Sequence, residues 1–141
     1  MFKSSLNVDV HDTNKTRFEC LDGTVYIEHE NSLRLLTVYR PYSCFMPGFL
    51  EEFTDVIFEV VVLNPEIFVF GEFNIPFDNK VIHDTRDFFN ILSVFDLESQ
   101  IATPTHVGGH TFDNVLSKTD NSYRTHFGVR DIGISDHYPI D

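Results

Sequence analysis

After Pro47-Gly48, apolar residues recur at Phe49, Leu50, Phe53, Val56, Ile57, Val60 and Leu63, with Glu51, Glu52, Asp55 and Glu59 between them. That spacing follows the helical turn and predicts an amphipathic helix whose apolar stripe must be covered by another layer. Its early acids suit the positive end of the helix dipole. Asn64-Pro65 then breaks the pattern, and Ile67-Phe68-Val69-Phe70 follows as a short, strand-forming apolar run. A helix that delivers the chain straight into a buried strand is the unit of an α/β fold. The run closes on Gly71-Glu72-Phe73-Asn74, which sets a carboxylate and an amide two positions apart. On a continuing strand both point to one face, at the sheet end where α/β proteins keep their chemistry.

Upstream, residues 1–16 are polar without a sustained period and are expected to be an irregular lead-in, with order beginning near Arg17. Arg17 to Cys20 and Thr24 to Glu28 read as two strands around an Asp22-Gly23 hairpin turn, and Leu33 to Tyr39 as a third strand. Downstream, a loop from Ile75 to His83 leads to a second helix, with Asp84 or Thr85 as cap and Phe88, Phe89, Leu92 and Phe95 on its buried side. Ser99 to His110, with Pro104, Gly108 and Gly109, is a long loop. Strands are expected again at Thr111 to Leu116, near Gly128 to Ile132, and from His137 to the end.

The 141 residues suffice for one domain with a real core, and 42% hydrophobic residues with 15 phenylalanines supply it. Apolar runs such as Val60 to Leu63 are far too short to span a bilayer, and the N-terminus lacks the apolar stretch of a signal peptide. Cys20 and Cys44 define no disulfide framework and read as thiols of an intracellular protein, nuclear or cytoplasmic. The net charge of −12 is unusual for a partner of nucleic acid, which is normally met with a basic surface.

Further candidates for chemistry lie downstream. Ser135-Asp136-His137 sets a carboxylate beside an imidazole, and Thr111-Phe112-Asp113 supplies another acid. His106 and His110 have a spacing that suits zinc, without a convincing second ligand pair. Together with Tyr39-Arg40-Pro41, Gly71 to Asn74, Pro104-Thr105-His106 and Gly108-Gly109, these strings keep one order along the chain. The set resembles the endonuclease/exonuclease/phosphatase family of metal-dependent phosphodiesterases. It is most similar to the endonuclease domains of non-LTR retrotransposons, whose strings run Tyr-Arg-Pro-Pro, Gly-Asp-Phe-Asn, Pro-Thr-His, a glycine-rich turn, Thr-Leu-Asp and Ser-Asp-His.

The resemblance implies an α/β chain that is a partial two-sheet sandwich of the DNase I-like type, lacking its first strands, with residues 17–141 forming the C-terminal two-thirds of a domain. It implies catalytic roles for four residues. His137 would contact the scissile phosphate, Asp113 would hold its ring, Glu72 would activate water and Asn74 would donate to phosphate or nucleophile. Asp136 would lie at a metal, Mg2+ or Mn2+, and Arg40, Thr105 and His106 would bind substrate. DNA is the implied partner, bound weakly by so acidic a chain. The missing strands would leave apolar sheet surface open to self-association. Two departures point to impaired activity: Glu72 replaces an aspartate, and no upstream asparagine strand or metal-ligating glutamate is found. The alternative is an inactive remnant serving at most as an interaction module.

Overall fold

The computed structural model describes residues 7–12, 17–27, 31–64, 66–120, 126–131, 133 and 135–141. Its elements are β1 (Asn7–His11), β2 (Glu19–Ile27), β3 (Asn31–Tyr39), α1 (Met46–Leu63), β4 (Ile67–Glu72), α2 (His83–Val94), β5 (Leu97–Ser99) and β6 (Asp113–Lys118). The six strands form one sheet in the order β1-β2-β3-β4-β6-β5. Only β3 and β4 run parallel, from Arg34 beside Ile67 to Tyr39 beside Glu72, and α1 is the crossover a parallel pair requires.

Along β4 the side chains alternate between two environments. Ile67 and Val69, with Leu36, Val38 and Leu116 of neighbouring strands, face the helices and pack on Phe49, Phe53, Ile57, Val60, Phe88 and Leu92. Phenylalanines dominate this layer. Phe53 lies 5.2 Å from Phe88 between ring centroids, and Phe73 lies 5.5 Å from both Phe77 and Phe88. Phe68 and Val115 face the other way, with Leu33, Leu35 and Phe70 beside them. A sandwich would cover this face with a second sheet. Among the described residues, Ile101 and, from the C-terminal segment, Phe127, Val129 and Ile140 lie against it, and a cavity of about 810 Å³ remains over Leu33, Leu35, Phe68, Phe70 and Val115. One sheet, helices on one face and an apolar second face are what a partial two-sheet sandwich leaves.

Several local expectations are corrected. Residues 7–11 are a strand rather than part of an irregular lead-in: Val8 and Val10 alternate with Asp9 and His11, and β1 pairs antiparallel with β2. Its polar side chains are used, with Tyr26 donating to Asp9 at 2.9 Å and His11 sharing a 3.0 Å hydrogen bond with Thr24. Asp22-Gly23 is no hairpin turn but the middle of β2, pairing with Leu36 and Leu35. Asp22 is buried because Arg34 on β3 donates to both of its oxygens at 2.6 Å, a bidentate bond that holds the chain extended. Helix α1 begins at Met46 with Pro47 in its first turn, which leaves no acid there, so Glu51 and Glu52 lie beyond the strongest dipole field. Helix α2 starts from Ile82 without a side-chain cap, so neither Asp84 nor Thr85 plays that part. The strands expected near 128–132 and after 137 reduce to single bridges, Val129 with Ile140 and His106 with His137; Ile132 lies outside the described residues. Among the described residues, no helix is long and apolar enough to cross a membrane.

Candidate active site

The sheet topology decides which chemical groups meet. Because β4 ends where antiparallel β6 begins, Glu72 and Asp113 are directly opposed across the strands and line the same cavity. Two like charges in that position repel, and a cation between them relieves the repulsion. His137 supplies it. Its Nδ1 lies 2.8 Å from Asp113 Oδ2, and its Nε2 lies 3.6 Å from Glu72 Oε1.

Chain segments remote from both strands carry His137 to this point. Pro104-Thr105-His106 acts as a rail: Tyr138 N–H donates to the Thr105 carbonyl at 2.6 Å, and Val107 N–H donates to the Asp136 carbonyl at 2.9 Å. Ser135 Oγ accepts the His137 backbone N–H at 3.2 Å, which fixes the turn that presents the imidazole. Burial opposes charge on His137, but the Asp113 hydrogen bond and the charges of Asp113, Glu72 and Asp136 outweigh it and raise its pKa above the ordinary imidazole value. The ring is therefore biased toward imidazolium, a donor at both nitrogens.

His106 stands beside it, ring centroids 5.0 Å apart, with Nε2 3.7 Å from Asp136 Oδ2. Gly108 N–H donates to His106 Nδ1 at 2.9 Å, so the neutral ring carries its proton on Nε2, the nitrogen nearer Asp136. A donor in that position suits an anionic oxygen better than a metal. His110 turns elsewhere, its Nδ1 3.0 Å from Asp78 Oδ2, so the two histidines do not share a zinc site.

Three other expected site residues sit differently. Thr105 is fully buried, and its hydroxyl accepts the backbone N–H groups of Phe112 and Asp113 at 3.0 and 3.1 Å. It positions Asp113. Arg40 is buried too, with Nη1 donating to the carbonyls of Phe73 and Asn74 and Nη2 to that of Cys44. Its guanidinium braces the turn after β4 and is not among the groups around His137. Asn74 does not continue the strand alternation: its φ of 52° turns the backbone, and its Nδ2 donates to the Arg40 carbonyl at 2.8 Å. One of the two amide N–H bonds is thus committed.

Unforeseen from sequence is Asp78, which accepts Thr111 N–H at 2.9 Å and holds His110, tying the loop after β4 to the entry of β6. Burial opposes its charge, but these hydrogen bonds prevail and hold its carboxyl below the usual range. The only sequence signal was an aspartate in a loop.

Glu72, Asp113 and His137 form one group whose ligand atoms lie within 4.8 Å of one another, and His106, Asp136 and His137 form another. Since the ring nitrogens are engaged as described, the carboxylates are the better donors. A hard divalent cation that keeps several waters needs only one or two of them. Glu72 belongs to the first group and Asp136 to the second.

No family model matches the sequence, and no curated protein does. Solved structures do match. The chain is similar to the endonuclease domain of TRAS1, a telomere-specific non-LTR retrotransposon, with a TM-score of 0.76 and 15% identity over 99% of this chain and 67% of that one. It is also similar to the 3′ phosphatase NExo from Neisseria, solved with a product DNA hairpin, with a TM-score of 0.62 and 16% identity over 97% of this chain and 69% of that one. CdtB, the biologically active subunit of cytolethal distending toxin, matches with a TM-score of 0.51 and 17% identity over 94% and 55% of the respective chains. The strand order, the opposed acids and these likenesses together give the chain the DNase I-like fold of endonuclease/exonuclease/phosphatase proteins.

Proposed function

We propose that this chain is a metal-assisted phosphodiesterase domain acting on DNA, related to retrotransposon endonucleases and of impaired activity. The observation that carries the reading is the imidazole of His137 held at 2.8 Å by Asp113 with the Glu72 carboxylate at its other nitrogen. In this reading, His137 in its imidazolium form donates Nε2–H to a non-bridging phosphate oxygen, and Asp113 keeps the ring oriented as its charge is spent. His106 Nε2–H adds a donor for developing negative charge. Glu72 accepts the proton of the attacking water. A divalent cation such as Mg2+ or Mn2+, held by Asp136, would supply positive charge to the phosphate.

Impairment follows from the reach of Glu72. With one methylene more than an aspartate, its carboxylate stands 3.6 Å from His137 Nε2, the atom the phosphate needs, so substrate must displace it. Misplacement of a reacting group by ~1 Å costs roughly a hundredfold in rate. The same contact favours the second reading, an inactive remnant, in which Glu72 and His137 only satisfy each other. DNA binding by a chain of net charge −12 is expected to be weak and strongly salt-sensitive. Association of copies through the open apolar face belongs to the same reading.

Nicking of supercoiled plasmid in magnesium or manganese tests it. Nicking lost on His137→Ala supports the hydrolase, and its absence at every metal concentration leaves the remnant.

A further inference from the structure

The sheet face turned away from α1 and α2 is built of rows of side chains across the strands, because residues paired in a ladder point the same way. Val8, Val25 and Leu33 form one row. Val10, Gly23, Leu35 and Phe68 form the next, and Leu21, Thr37, Phe70 and Val115 the third. The C-terminal segment lies against the Phe68 and Val115 end. Over β1 and β2 the face is open: Val8 is 52% exposed, Val10 67% and Leu21 61%. Gly23, without a side chain, leaves a dent between Val10 and Leu35. Contiguous apolar surface of this kind, unlike scattered exposed residues, marks an interaction site.

The border of this face carries one sign of charge. A fourth row, set by the same pairings, runs Glu19, Tyr39, Glu72 and Asp113 along one end. At the β5 edge Glu98 is paired with Ser117, which lies beside Phe68. His137 answers Glu72 and Asp113, while Glu19 and Glu98 are exposed. None of these rows contains a lysine or arginine. Arg34, the one such residue in β1 to β4, pairs with Thr24 and Ile67 on the opposite face and is spent on Asp22.

We propose that this face docks a cationic amphipathic polypeptide segment, apolar where it crosses the rows of Val8, Val10 and Leu21 and bearing lysine or arginine where it passes Glu19. Burial of the apolar rows supplies the affinity. The acidic border sets the direction of the segment and rejects acidic partners. A second copy of this chain is the competing occupant, but the same face on a copy adds no lysine or arginine and brings a further net charge of −12. The open part of the face lies on β1 to β3, away from His137, so loss of nicking leaves the inference standing.

The test titrates the 15N-labelled chain with a synthetic peptide that alternates valine with threonine and ends in lysines, against a glutamate-ended control. Saturable shifts of the Val8, Val10, Leu21 and Leu35 amides are expected, with the control bound about tenfold more weakly. Leu21→Lys, at a side chain already exposed, should weaken binding of the lysine peptide about tenfold. Glu19→Lys should weaken it about threefold and tighten the control. Amides that stay still, equal binding of the two peptides, binding that ignores either substitution, or shifts confined to the cavity at His137 would overturn the proposal. So would face signals that move with the chain's own concentration, together with a sedimenting dimer that the lysine peptide does not dissociate; that result gives the face to a second copy.

Discussion

Replacing Gly71 with alanine isolates how the strand pairing places the candidate acid. Gly71 sits in β4 opposite Val38 with φ of 148°, a backbone region essentially reserved for glycine. A Cβ there would lie 2.8 Å from the Val38 carbonyl carbon and closer still to its oxygen. Carbon atoms in contact need about 3.5–4.0 Å, so β3 and β4 must part by roughly 0.7 Å or more. The Arg40 N–H to Glu72 carbonyl bond, now 2.9 Å, is the first to be lost. Backbone strain of ~1–3 kcal/mol and one or two ladder bonds at ~1 kcal/mol each give a loss of roughly 2–5 kcal/mol. That is a large share of the ~5–15 kcal/mol that holds a domain folded. Urea unfolding measures it. Since the next residue is Glu72, displacement near 1 Å should also lower any nicking rate about a hundredfold. A stability loss below ~1 kcal/mol, with His137 signals unchanged, would refute the claim that close strand approach fixes Glu72.

Glu72→Asp should withdraw the carboxylate from His137 Nε2 and raise residual nicking; an unchanged or lower rate counts against the reach of Glu72 as the defect. The folded pKa of His137 is raised, so its contribution to stability is fully present below the ordinary imidazole value and fades as pH rises through the folded value. Urea midpoints of the metal-free protein across that window should show the decline, and Asp113→Asn should flatten it; identical pH profiles would contradict the assignment. Asp22→Ala leaves Arg34, 17% exposed at its side chain, without its bidentate partner and should cost about 2–4 kcal/mol, recovered in part by Asp22→Ala with Arg34→Leu. A single variant as stable as the parent would show that the pair is not holding β2 extended.

Local pattern made much of the layer legible. The stripe from Phe49 to Val60 could only be a covered helix, and Ile67 to Phe70 could only be buried. Where sequence reading failed, a long-range partner overrode a local preference. Asp22-Gly23 has turn chemistry, yet the Arg34 guanidinium, twelve positions on, keeps it in a strand. Arg40 carries a group suited to a phosphate, yet the carbonyls of Phe73 and Asn74, far along the chain, claim its Nη1; at Thr105 the nearer backbone N–H groups of Phe112 and Asp113 claim the hydroxyl.

By itself, the sequence determined that this is an α/β chain with a phenylalanine-rich helical layer. It also supplied the ordered residues Glu72, Asn74, Asp113, Asp136 and His137 as the material of a site. The tertiary structure alone decided that Glu72 and Asp113 oppose each other across β4 and β6, and that His137 lies between them. It also decided that Asn74 and Arg40 bind one another's backbone. Composition and spacing fix which side chains exist and what face each can take. Which charges meet depends on strand order and register, and these are set by pairings between residues far apart in the chain.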